Sequence, residues 1–278
     1  MRLNWEDSPV RAKLDRYRAE REDLLQRLSA ILEQDDRIVA AWLFGSLGRG
    51  EEDDLSDLDL WAVVSDSEID AVAAQRQSYV AQAGEPLLVL EAPQNAPRGG
   101  AYLMALYDGE SGAHQVDWYW QAQSAASIPQ QTRLLFDRVG LPSQETPTQF
   151  GATDPLPERT PLEAACQAVA FFWVMILITA KYAARSPREE RMGLLPLVTN
   201  PLREVERFLD EELSPEAETL PAHPQPQTKL ALLRRLAARM QAILPRVAAQ
   251  GGAIPERIPP VASCYFDLIA ALCDANTP

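Results

Sequence analysis

Soft and borderline metal ligands are scarce in this chain: its 278 residues include three cysteines and two histidines. Cys166, Cys264 and Cys273 form no Cys-x-x-Cys pair, and His114 and His223 lie far apart. Neither a structural zinc site nor a disulfide framework is expected. Positive charge is also short, with 26 Lys and Arg against 40 Asp and Glu and a formal net charge of −14. That balance argues against nonspecific nucleic-acid binding, which needs basic patches to displace counterions from phosphate. It favours solubility, and it would favour a cationic small-molecule partner. The first residues, Met-Arg-Leu-Asn-Trp-Glu-Asp, lack the apolar stretch of a signal peptide, so a cytoplasmic protein is expected. One segment, Ala164 to Ala180, could pass for a membrane span. It sits at the lower end of the roughly 17 to 25 residues a span needs, contains Gln167 and has no basic flank before it. It reads as the central helix of a helical domain, and no membrane partner is expected. There is no internal repeat.

What is present is a pair of short motifs in an ordinary globular composition of 46% hydrophobic and 24% charged residues. An apolar run from Ile38 to Phe44 reads as a buried strand and stops at Gly45-Ser46. A second apolar run, Leu58 to Val64, carries Asp59 inside it and Asp57 at its start. Strand alternation puts both acids on one face. Two carboxylates so placed are costly unless a cation compensates them, because like charges a few ångströms apart disfavour each other's ionisation. Hard oxygen ligands without His or Cys point to Mg²⁺ or Mn²⁺, and Mg²⁺ commonly sits between carboxylates and substrate phosphates. The Gly45-Ser46 corner supplies the complementary half, since glycine lets backbone approach a phosphate and serine adds a donor. Arg49 adds a cation nearby. The competing reading is a surface turn followed by a solvated acidic edge. It accounts for Glu51, Glu52, Asp53 and Asp54 better than for Asp59.

Taken together, Gly45-Ser46-Leu47-Gly48-Arg49-Gly50 and Ser56-Asp57-Leu58-Asp59-Leu60 resemble the signature of the DNA polymerase β-like nucleotidyltransferase superfamily. The pattern is close to the form common in its small bacterial members that modify antibiotics or proteins. The resemblance implies an α+β fold: an N-terminal mixed β-sheet flanked by helices, followed by a C-terminal α-helical bundle. It implies transfer of a nucleoside monophosphate from an NTP, with ATP the expected donor, to a hydroxyl of an acceptor. Asp57 and Asp59 would hold the metal. Gly45, Ser46 and Arg49 would bind the nucleotide phosphates. It also calls for a third carboxylate on a later strand, and Asp117, between Val116 and Trp118, fits that place. The other reading of Asp117 is an acid on the exposed face of an edge strand.

Along the chain, Ser8-Pro9 reads as an N-cap and first turn. A helical stripe of Val10, Leu14, Tyr17, Leu24, Leu28, Ile31 and Leu32 follows, ending at Asp35-Asp36. A short helical turn is expected within residues 47–54 and a second helix from Ser67 to about Ala83, closed by Gly84. Pro86 to Glu91 reads as a strand, and residues 101–107 and 113–121 as a hairpin around the turn 108–112. Residues 133–140 read as a closing strand, with Asp137 a turn residue. Residues 1–140 thus form the catalytic domain, 141–160 a proline-rich linker, and 161–278 a helical substrate-binding domain. Capping boxes at Thr160-Pro-Leu-Glu163 and Ser186-Pro-Arg-Glu189 assign both glutamates to helix starts. Further helices are expected at 201–212, at 227–250 with an interruption near Pro245, and at 259–275, and Ser214 to Gln227 reads as a Pro-rich loop.

Lys181 and Arg185, a turn apart near the end of the apolar helix, read equally as triphosphate ligands or as cations stabilising a helix C-terminus. In some antibiotic-modifying relatives a carboxylate one turn before such a lysine acts as the base. Here that position is Leu177, which makes Asp117 the stronger candidate. Aminoglycosides and lincosamides are the acceptors the resemblance suggests. The alternative is a protein-directed nucleotidyltransferase or an antitoxin-like binding partner of a toxin. The sequence specifies no oligomeric state.

Overall fold

Helix α1 (Pro9–Gln34) opens the described chain, and its leucines at 24, 28 and 32 recur at helical spacing and are essentially inaccessible. Burying each contributes on the order of 2 kcal/mol, which anchors a helix otherwise rich in charge. The computed structural model describes residues 9–144, 158–185, 193–211 and 224–275; the expected cap at Ser8 lies outside them. Asp35 follows α1 and accepts hydrogen bonds from the Arg37 guanidinium (2.7 Å) and the Tyr79 hydroxyl (2.5 Å), fixing the turn into the first strand.

The sheet elements follow in order: β1 (Ile38–Leu43), α2 (Gly45–Arg49), β2 (Leu58–Val64), α3 (Ile69–Ala74), α4 (Arg76–Ala83), β3 (Leu88–Leu90), β4 (Ala101–Tyr107), β5 (His114–Ala122), β6 (Ile128–Pro129), β7 (Arg133–Asp137) and β8 (Ser143–Gln144). Six strands form one mixed sheet in the order β3-β4-β5-β2-β1-β7, while β6 and β8 pair separately. All neighbours in the large sheet are antiparallel except β2 and β5, which run parallel. Every residue of β1 is buried, as expected of an interior strand covered on both faces. One face of the sheet, including Leu43, Leu60, Val116, Trp118 and Trp120, packs with α1, α3 and α4 into a single apolar core.

The helical elements are α5 (Pro161–Arg185), α6 (Leu195–Phe208), α7 (Pro226–Ala249) and α8 (Ile258–Ala275). α5 packs against the other three, with Phe172, Trp173 and Ile176 fully buried. Among the described residues it is the one helix long and apolar enough to cross a membrane, and over half of its most apolar stretch is buried. By contact the chain divides into two compact units. One is Asp15–Asp108 with His114–Pro157, which holds the sheet. The other is Glu158–Pro278 with Met1–Leu14 and Gly109–Ala113, which holds α5 to α8.

The architecture is α+β, a mixed sheet with flanking helices and a helical C-terminal half. Four local expectations need correction. The short helix begins at Gly45 rather than after it, because Gly45 adopts φ +64° and turns the chain directly out of β1. The helix expected over 67–83 is two helices broken at Gln75, whose backbone leaves helical geometry and whose side chain accepts from Arg37. α6 starts at Leu195 and runs through Pro201, while α7 runs through Pro245 unbroken. Pro245 and Gln241, whose carbonyl loses its helical partner there, are both exposed, where a missing helix bond costs least. The linker prolines 147, 155 and 157, the second capping box at 186–189 and most of the loop 214–227 lie outside the described residues.

Candidate active site

The corner after β1 is built against an acid. A Cβ on Gly45 would lie 2.0 Å from Asp59 Oδ2, and the positive φ disfavours any side chain there as well. Glycine is therefore required twice over, and the corner and Asp59 are in direct contact. The Phe44 amide donates to the Asp59 carbonyl (3.1 Å), tying the end of β1 to the same residue. Arg49 closes α2 with its Nε on Glu51 Oε2 at 2.7 Å, at an exposed position.

Parallel pairing of β2 with β5 sets Asp59 directly beside Asp117. Adjacent strands are about 4.8 Å apart. Asp57 precedes β2 by one residue and lies two residues before Asp59. β5 is an interior strand and Asp117 is buried, so the exposed-edge reading of that acid does not hold. Two residues further along the same face, the Tyr119 phenol is held un-ionised far above its usual range, first by burial and then by the charges of Asp117, Asp59 and Asp57. A single phenol thus experiences all three carboxylates. Like unit charges about 5 Å apart repel by about 3 kcal/mol at an effective dielectric of about 20, so this face favours a cation.

The carboxylate of Asp117 is doubly engaged within the sheet. The Tyr102 hydroxyl donates to Oδ1 through a short hydrogen bond, and Gln115 Nε2 donates to Oδ2 at 2.5 Å. Beyond the acids an aromatic row crosses four strands at matched register, Trp42, Trp61, Tyr119 and Tyr102, with centroid spacings of 6.0, 5.0 and 4.9 Å. Trp61 Nε1 donates to Gln121 Oε1 at 3.1 Å, which satisfies one of these buried indoles. The acids therefore lie on the face opposite the apolar core, next to a stiff aromatic floor.

The loop between the two motifs is held by α1. Arg21, 3% exposed, donates through Nη1 to the carbonyls of Asp53 (2.9 Å) and Ser56 (3.1 Å). Ser46 Oγ donates to Ser56 Oγ (3.0 Å), which donates in turn to Asp53 Oδ1 (3.1 Å). Arg18 forms an ion pair with Asp54 one turn earlier on α1. Sequence reasoning missed Arg21, although a signal was present. The apolar stripe of α1 skips a turn between Tyr17 and Leu24, and residue 21 occupies that inward phase.

The remaining candidates divide between the units. Gly45, Ser46, Arg49, Asp57, Asp59 and Asp117 all belong to the sheet unit, whereas Lys181 and Arg185 belong to the helical one. Lys181 is buried in α5, and the Arg185 guanidinium lies 5.8 Å from the Tyr182 ring centroid. Asp137 is a turn residue, accepting from the amides of Val139, Gly140 and Leu141. Glu163 caps α5: its carboxylate accepts from the Thr160 amide at 2.8 Å, and the Glu163 amide donates back to Thr160 Oγ1. His114 is buried, stacked on Tyr17 and 3.0 Å from Glu20.

As a metal site, the donor set is right in kind, consisting of carboxylate oxygens from neighbouring strands on a negatively charged face. Among the described residues, no three His, Cys, Asp or Glu side chains are already gathered into a set that could hold an ion. The register of Asp59 and Asp117 and the chemistry of the group suit Mg²⁺ or Mn²⁺, and Asp117 would exchange a sheet partner on joining the set.

No curated protein shows a significant match to the chain. Residues 26–86 match the family model described as polymerase beta, nucleotidyltransferase. The matched stretch runs from within α1 to beyond α4, and it contains the Gly45–Ser46 corner, the Arg21-held loop, Asp57 and Asp59 but not Asp117. The motif and the sheet agree with that match, which supports a nucleotidyltransferase domain of the DNA polymerase β-like superfamily around residues 26–86.

Proposed function

We propose that the protein is a metal-dependent enzyme that moves a nucleoside monophosphate from an NTP, with ATP the expected donor, to a hydroxyl of a small-molecule acceptor. The observation that carries this reading is the parallel register that sets Asp117 beside Asp59, next to the Gly45–Ser46 corner. Asp57, Asp59 and Asp117 would hold Mg²⁺ or Mn²⁺, which when bound offsets negative charge on the triphosphate. Gly45 and Ser46 meet the β- and γ-phosphates, and Arg49 exchanges Glu51 for a phosphate oxygen. Asp117 takes the proton of the acceptor hydroxyl. The acceptor oxygen then forms its bond to the α-phosphorus while the bond to the bridging oxygen of pyrophosphate breaks and the pyrophosphate leaves. Positioning and electrostatics supply most of the rate, as is general for phosphoryl chemistry.

The net charge of −14 supports a cationic acceptor such as an aminoglycoside, with lincosamides the second class to test. The experiment is incubation with Mg²⁺, labelled NTPs and a panel of aminoglycosides, lincosamides and candidate proteins. Label transfer to a small molecule supports the reading, and transfer to a protein redirects it to a protein-modifying enzyme. If no NTP is consumed with any acceptor, and NTP binding is unchanged by Asp57→Asn with Asp59→Asn, the enzymatic reading fails.

A further inference from the structure

We infer that Arg21 of α1 is a positioning residue for nucleotidyl transfer, locking the phosphate corner and the first metal-binding acid into one rigid unit; this rests on the function proposed above. The guanidinium is buried at a phase of α1 where its neighbours one turn away, Tyr17 and Leu24, are core side chains. Removing a guanidinium from water is costly, and the buried Arg21 Nε makes no hydrogen bond, so the contacts of Nη1 carry the compensation. Here one nitrogen spans two carbonyls of the same loop, Asp53 O and Ser56 O, at 2.9 and 3.1 Å. Ser56 immediately precedes Asp57, so fixing its carbonyl fixes the peptide from which the acid departs.

The same serine is the hinge of the second link. Its hydroxyl accepts from Ser46 Oγ at 3.0 Å and from the Asp53 amide at 3.0 Å, and donates to Asp53 Oδ1. Asp53 Oδ1 also accepts from the Leu55 amide at 3.0 Å, which closes the turn. The chain of contacts therefore runs from Arg21 through Asp53 and Ser56 to Ser46, joining α1, the loop and the corner after β1. The Arg18–Asp54 ion pair also joins this loop to the helix, but it is partly exposed and worth little. Lysine would keep the charge at position 21 but lose the planar, rigid guanidinium that aims Nη1 at both carbonyls.

The test uses the whole chain and four variants: Arg21→Met, Arg21→Lys, Ser56→Ala and, as control, Arg27→Met. Arg27 also lies on α1 and donates to a carbonyl, Ala83 O at 3.2 Å, remote in sequence from the loop. Hydrogen exchange of the peptide covering residues 50–58 reads the clamp directly. Titration with Mn²⁺ and a non-hydrolysable ATP analogue reads its consequence. In Arg21→Met, exchange should accelerate and analogue affinity should fall, each by about tenfold, with about threefold losses in Arg21→Lys and Ser56→Ala. Arg27→Met should lower the melting temperature comparably while leaving both readouts within about twofold of wild type. Unchanged exchange or affinity in Arg21→Met overturns the inference, as does an equal loss of affinity in the control. Should Arg21→Met fail to fold, unchanged exchange and affinity in Arg21→Lys and Ser56→Ala overturn it instead. If the wild type binds no nucleotide while exchange is still faster in Arg21→Met, the positioning role for nucleotidyl transfer is overturned through the failure of the proposed function, with the clamp itself intact.

Discussion

Replacing Gly45 by alanine separates two causes that act at one position. The first is conformational: at φ +64° a non-glycine residue pays about 1–2 kcal/mol. The second is steric, because the new methyl would lie 2.0 Å from Asp59 Oδ2 and 2.9 Å from its Cγ. Relief requires Asp59 to leave its rotamer or the corner to shift, at about 0.5–1.5 kcal/mol more. Gly45→Ala should therefore cost about 1.5–3.5 kcal/mol of stability and displace the acid that would hold the metal. In an Asp59→Ala background only Cβ remains, and the methyl meets it at 3.5 Å, an ordinary contact. There the same substitution should cost only the conformational part. The double-mutant cycle then gives a coupling of about 1 kcal/mol, above the 0.3–0.5 kcal/mol within which independent sites add. Urea unfolding followed by indole fluorescence is a suitable assay, since Trp42, Trp61, Trp118 and Trp120 all sit in the sheet. Equal costs of Gly45→Ala in the two backgrounds would refute the claim that the corner is packed on the carboxylate.

Asp117→Asn should lower turnover at least about a hundredfold, measured as pyrophosphate release with a productive acceptor; retention of a tenth of the wild-type rate would exclude Asp117 as the base. Asp35, held well below the usual carboxylate range first by the Arg37 guanidinium and also by Tyr79, contributes stability that is complete above the unfolded pKa of about 4 and is lost as pH falls towards its depressed folded value. Asp35→Asn should accordingly cost about 2 kcal/mol at pH 7 and progressively less below pH 4, and a penalty constant from pH 7 to pH 2 would contradict this sign. Burial raises the Cys273 thiol to about 11, whereas Cys264 is exposed, so a disulfide reagent at pH 8 should label Cys264 in the native protein and reach Cys273 only after unfolding.

What was legible in the sequence is what local chemistry determines. Gly45 and Ser46 end an apolar run, Asp59 interrupts one, and each is conspicuous because a buried strand tolerates neither a break nor a charge without cause. The capping box at Thr160 and Glu163 and the turn at Asp137 were readable for the same reason, since both use side-chain to backbone bonds within four residues. Asp117 could be singled out as an acid in an apolar strand. That it stands beside Asp59 could not, because periodicity says nothing of which strand becomes the neighbour or in which direction it runs.

The unread part of the site consists of contacts made across elements. Tyr102 reaches Asp117 only because β4 and β5 pair with Tyr102 opposite Tyr119, a register set by the hairpin turn and the packing of both faces. Arg21 escaped because a helical stripe is scored by its apolar members, and a polar residue at an inward phase looks like a gap. Read physically, such a gap is informative. An arginine placed where a leucine would stabilise the core gives up the transfer free energy of an apolar side chain and adds a desolvation cost. Selection tolerates that loss when the guanidinium does something a leucine cannot, and here that is holding two carbonyls on the approach to Asp57.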